Sequence, residues 1–112
     1  MAVAVKTSGS QTATVGTEHD LATITDAGIY VLVVDLNNMV GGTTPDVLIL
    51  RAYGKARSSD TERLIKPWSM QGVQSEKLFY SIPIMSPHHL RFTLDQDTGA
   101  AGRAFPWAVY NA

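Results

Sequence analysis

The chain has no cysteine, which excludes disulfides and thiolate metal sites. It has no excess of charge either: nine Lys and Arg stand against ten Asp and Glu, for a net charge of −1. Nucleic-acid binders carry a basic stripe, and the scattered cations of this chain form none. Their one local concentration, Arg51, Lys55 and Arg57, reads as a strand running out into a solvated loop. No apolar stretch approaches the roughly 20 residues of a membrane-spanning helix. The opening Met1-Ala-Val-Ala-Val-Lys6 lacks the charged start and long apolar middle of a secretion signal. Missing too are any helix-length segment with 3.6-residue apolar periodicity, any internal repeat and any interdomain linker. These absences predict a protein made and first used inside a cell, with neither membrane nor nucleic acid as a direct partner.

What is present is β structure. With 112 residues, 45% of them hydrophobic and 17% charged, the chain is long and apolar enough for one globular domain without covalent staples. Residues 29–36, Ile-Tyr-Val-Leu-Val-Val-Asp-Leu, are apolar on both faces, as in a central strand whose outer side is covered by neighbours or a partner. A Gly41-Gly-Thr-Thr-Pro45 break follows, then a second strand over 47–53. Residues 88–95 alternate most cleanly, with Leu90, Phe92 and Leu94 on one face and His89, Arg91, Thr93 and Asp95 on the other. Over 104–110, Phe105, Trp107 and Val109 are in phase, and Pro106 suggests an edge strand. Over 61–70, Leu64, Trp68 and Met70 share a phase, and Pro67 implies an edge or bend. Over 77–84, Leu78, Tyr80, Ile82 and Ile84 share a face with Phe79 opposite. Over 19–25, Leu21 and Thr23 are expected inward. The small, Thr-rich residues 1–17 read as an N-terminal arm or an edge strand, with Val3 and Val5 as a short apolar face, ahead of a domain at 18–112. About eight short strands at 8–12-residue spacing predict a single-domain antiparallel β-sandwich, jelly-roll-like.

Chemistry is harder to find. His88 and His89 are adjacent in a strand and point to opposite faces, so they do not grip one ion. Asp95-Gln-Asp97-Thr-Gly99 opens like a calcium loop but lacks its later ligands. It reads as a hairpin turn with Asp accepting local N–H bonds. Asp35-Leu-Asn37-Asn38 reads the same way. Gly-x-Ser-x-Gly, phosphate loops and dinucleotide fingerprints are absent. A carboxylate pair among Glu18, Asp20 and Glu62 would need strands to bring it together. No residue is assigned a catalytic, cofactor or metal role, and the chain reads as not an enzyme. The aromatics are spread one or two per strand, a core distribution; Trp68 and Phe79 are the two with a possible place at a partner or glycan surface.

The runs at 21–36, 46–55, 81–94 and 102–110, with the turns between them, resemble the small jelly-roll cement (decoration) proteins of tailed bacteriophage heads. The resemblance covers roughly residues 18–110 and rests on strand and turn patterns rather than chemical motifs. It implies a structural virion protein made in the host bacterial cytoplasm. Such a protein binds the outside of the expanded capsid across capsomer boundaries, with the major capsid protein and a second copy of itself as partners, a homodimer before a homotrimer. Val3, Val5, Trp68 and Phe79 are the expected contact residues. A tail component or a glycan-binding sandwich is the alternative.

Overall fold

The computed structural model describes residues 3–111, and among these every regular element is a strand. In chain order they are β1 (Ala4–Thr12), β2 (Glu18–Ile24), β3 (Gly28–Asp35), β4 (Val47–Gly54), β5 (Arg63–Gln71), β6 (Leu78–Tyr80), β7 (Ile84–Ser86), β8 (Leu90–Thr98) and β9 (Ala104–Asn111). All pairings are antiparallel. One sheet has five strands in the order β1-β9-β3-β6, with β7 also on β3; the other has four in the order β2-β8-β4-β5. Strands β6 and β7 pair with opposite ends of β3 and together fill one position. The nine strands therefore occupy eight places, in the double Greek-key order of a jelly roll.

The core lies between the sheets. Tyr30, Leu32 and Val34 from β3 meet Leu48, Leu50 and Ala52 from β4, Leu90, Phe92 and Leu94 from β8, and Phe105 and Val109 from β9. These positions follow the period-2 pattern of the sequence directly. Residues 4–12 are not a free arm: they form edge strand β1, hydrogen-bonded along β9.

Four expectations on phase and position change, each for a local reason. A bulge between Asp20 and Ala22 turns Ala22 and Ile24 toward the core, leaving Thr23 exposed. A second irregularity at Ala52/Tyr53 puts Leu64 opposite Tyr53, half-exposed, while Trp68 and Met70 stay against the core. In the 77–84 run, Phe79 faces inward and Leu78 and Tyr80 outward. The run breaks at Ser81, whose hydroxyl accepts the Leu32 N–H at 2.9 Å in a buried position, and resumes with Ile84 inward. Finally, β9 is an interior strand. Its pairing with β3 ends at Trp107, so Pro106 has a strand, β1, on one side only, and its missing N–H costs no ladder bond on the other.

The loops are tied by one buried carboxylate. Asp46 is fully buried; its Oδ2 accepts the Val40 N–H at 2.9 Å and Arg103 Nε at 3.0 Å. Gln96, also fully buried, donates to the Ala101 carbonyl and accepts the Arg103 N–H, both at 2.8 Å. Strand β8 runs on to Thr98, so Asp95 lies in a strand rather than a turn and bonds Arg51 instead of local backbone. Asp35 behaves as read from sequence, accepting the Asn37 N–H at 2.9 Å.

Candidate interaction surface

The two outer faces of the sandwich differ in kind. On the five-stranded sheet, β3 turns Ile29, Val31 and Val33 outward as it turns Tyr30, Leu32 and Val34 in. Register extends that apolar row sideways. Val31 stands opposite Tyr110, which stands opposite Val5. Val33 lies between Ala108 and Tyr80, and Ile29 faces Met85. Such cross-strand apolar pairs hold a sheet together, but they normally lie under another layer. Here they are open: Met85 is 72% exposed, Val3 68%, Tyr80 66% and Val5 57%. Val3, Val31, Val33, Tyr80, Tyr110 and Asn111 line a shallow depression of about 440 Å³ in this face.

The outer face of the four-stranded sheet is an ion network. Arg91 on β8 donates to Glu62 from Nη2 at 2.7 Å and from Nε at 3.0 Å; it also binds Asp20, and its guanidinium lies 4.3 Å from the centre of the Tyr53 ring. His89 Nε2 is 2.6 Å from Glu62. Next along the sheet, Arg51 reaches Asp95 at 3.1 Å and Glu18 at 3.5 Å. Glu18 also accepts from Tyr53 Oη at 2.7 Å and Thr93 Oγ1 at 2.5 Å. Hydrogen bonds from Arg91 pull the Glu62 carboxyl down to about 2, against some opposition from burial and with help from His89. Burial raises Glu18, but the Thr93 and Tyr53 hydroxyls and the Arg51 charge outweigh it and lower its pKa. The three carboxylates considered from the sequence are thus neighbours, but Arg91 stands between Asp20 and Glu62, and Arg51 beside Glu18. They hold a sheet face together through matched charges.

The histidines do not converge. His19 Nε2 accepts the Thr14 N–H at 3.0 Å, His89 meets Glu62, and the Nε2 of His88 is buried without a partner. Among the described residues no group of three or more His, Cys, Asp or Glu is placed to hold a metal.

Of the four expected contact residues, Val3 and Val5 are exposed at the β1 side of the apolar face. Trp68 and Phe79 sit elsewhere. Their rings meet edge-to-face, 5.4 Å between centres, half-buried against the core where β5 and β6 close one side of the sandwich. The residues that sequence reasoning missed are Leu78 and Tyr80, which the inward Phe79 turns to the outside, and Met85, which lies beyond the 77–84 run beside the inward Ile84. The signal that did exist was the two-sided apolar pattern of residues 29–36, which foretold an outer face in need of cover. Comparison with family models, with curated proteins and with solved structures finds no match to this chain.

Proposed function

We propose that this protein is a structural virion component, a cement protein that binds the outer surface of an expanded phage capsid and braces it across capsomer boundaries. The major capsid protein is its partner, and the chain has no catalytic task. The observation that supports this most is the open apolar face of the five-stranded sheet, backed by a charged face on the opposite side. A sandwich with one greasy and one ionic exterior has a natural orientation on a protein surface: the apolar face down, the ion network toward solvent. Burying a large apolar side chain contributes about 1.5–3 kcal/mol when complete, so this face can supply docking energy without specific chemistry. Preference for the expanded lattice then stabilises that state by the difference in affinity. Trp68 and Phe79, turned into the sandwich, lend the glycan-binding alternative less support than exposed rings would.

The test is co-sedimentation with expanded heads lacking this protein and with unexpanded precursor shells. Saturable binding to expanded heads alone, lost in Tyr80→Glu and Met85→Glu, is the expected result. Absence of binding to either particle overturns the reading.

A further inference from the structure

A cleft of about 260 Å³ opens where the end of β4 and the start of β5 approach β7 and the segment leading into β8. One side of it is apolar. Ile65 and Met85 are exposed there, and Pro87 stands with them. Gly54 lets Ile65 settle against the β4 backbone: a Cβ at that position would lie 2.9 Å from Ile65 Cδ1. The other side is cationic. Lys55, which is half-buried, and Arg63 both line the cleft. The acids nearest them in the chain are engaged elsewhere. Asp60 holds Arg57 at 3.0 Å, and Glu62 holds Arg91 at 2.7 Å and His89 at 2.6 Å. Among the described residues the ion pairs of this chain involve neither Lys55 nor Arg63.

We propose that this cleft binds a small organic carboxylate, with Arg63 and Lys55 on the carboxylate and Ile65, Met85 and Pro87 against its apolar body. Ligand sites combine an apolar lining with a few convergent polar groups that fix orientation, and this cleft has that composition. Arg63 supplies a planar fork matched to a carboxylate, and Lys55 adds a point charge on a flexible stem. A half-buried ammonium without a counter-ion is costly, and an incoming anion relieves that cost. Size narrows the ligand further. Pockets for drug-sized molecules run from about 300 to 1,000 Å³, so this cleft takes something smaller, a carboxylate on a body of a few carbons. A bare inorganic anion would leave the Ile65 and Met85 side chains in water and forgo the gain from covering them. The site shares only Met85 with the open apolar face, and it stands whatever that face binds.

The test is an NMR titration of the isotope-labelled full chain with hexanoate. Saturable shifts are expected at the amides of Gly54, Lys55, Ala56, Ile65 and His89. Hexanamide lacks the charge and inorganic phosphate lacks the body, so each is expected to bind at least about tenfold more weakly. The K55A/R63A variant is expected to stay folded by circular dichroism and to lose hexanoate affinity by about tenfold or more. Lys66→Ala removes an exposed β5 cation outside the cleft and should leave binding unchanged. If the double variant loses its fold, Arg63→Gln, at an exposed position, carries the same test. N-acetyl-Val-Leu with a free carboxylate is titrated alongside. Binding of either carboxylate at the cleft supports the site, and the tighter of the two identifies the source as a free acid or a chain end. The inference is overturned if neither binds, if hexanamide or phosphate matches hexanoate, if the cation variants bind like wild type, or if the shifts fall on the five-stranded face instead.

Discussion

Arg91 and Glu62 form a two-pronged bridge, Nη2 to Oε1 at 2.7 Å and Nε to Oε2 at 3.0 Å, that fastens the residue just before β5 onto β8 across the intervening β4. Paired geometry of this kind is the strong form of a charge-assisted bond. Glu62 titrates at about 2 in the folded chain against an ordinary 4.5. A depressed carboxylate stabilises the fold at pH values above its unfolded pKa and loses that contribution as pH falls toward its folded one. The bridge is therefore complete above about pH 4.5 and dissolves between there and about pH 2. Partial solvent access screens it, so a gain of about 1–2 kcal/mol is expected at neutral pH. Urea unfolding of wild type and Glu62→Gln should differ by that amount at pH 7 and converge near pH 2. A difference that stays constant with pH would show that the carboxylate charge is not what matters.

Asp46 is the second point of sensitivity. It is fully buried, and Arg103, Val40 and Gln96 all turn to it. Asp46→Ala would strand the partly buried Arg103 and a backbone N–H together. Removing one partner of a buried pair costs about 3–5 kcal/mol. Chemical denaturation should show a loss of that order, and a loss below about 1 kcal/mol would mean that water replaces the carboxylate freely.

Gly102 supports the same corner by having no side chain. A Cβ there would lie 1.8 Å from the Ala13 carbonyl oxygen, while the Ala13 N–H donates to Arg103 O at 2.8 Å. The backbone has no room to give without breaking that bond. Gly102→Ala is expected to destabilise by about 3 kcal/mol, read as a lowered melting temperature. Gly41→Ala, where a Cβ meets nothing within 4 Å, is the matched control and should change little.

These sites mark where sequence reading works and where it stops. Strands β8 and β9 were legible because their apolar residues recur at every second position, and Phe92 and Val109 land in the core as that phase requires; β3 was legible as a strand from its unbroken apolar run. Thr23 and Leu64 were misplaced because one inserted residue reverses every side chain beyond it, and nothing in Asp20-Leu-Ala22 or Leu64-Ile-Lys66 announces a bulge. The role of Asp46 was invisible: its partners Gln96 and Arg103 are 50 and 57 residues away in sequence and meet it only because β4 and β8 are neighbours. The apolar outer face was half-legible. Ile29, Val31 and Val33 gave it away, but the contribution of Tyr80 depends on a phase set by the pairing of β6 with β3 and by the bonds between Ser81 and Leu32.

That phase can be tested on two adjacent aromatic residues. Phe79 packs against Trp68 and the core, while Tyr80 is 66% exposed on the opposite face. Phe79→Ala removes a half-buried ring and leaves a void beside Trp68, so a loss of about 2 kcal/mol is expected. Tyr80→Ala removes a larger side chain but one mostly in water, so stability should move by less than about 0.5 kcal/mol. Binding should respond in the opposite order. Tyr80→Ala takes away an exposed ring of the open face, beside Val33, and, on the proposed capsid-binding role, is expected to weaken attachment to expanded heads several-fold, while Phe79→Ala, wherever it remains folded, leaves that face intact. Paired urea melts and co-sedimentation of the two variants separate the roles. If Tyr80→Ala unfolds the chain or Phe79→Ala is silent, then the inward ring is Tyr80, and the outer face loses that ring.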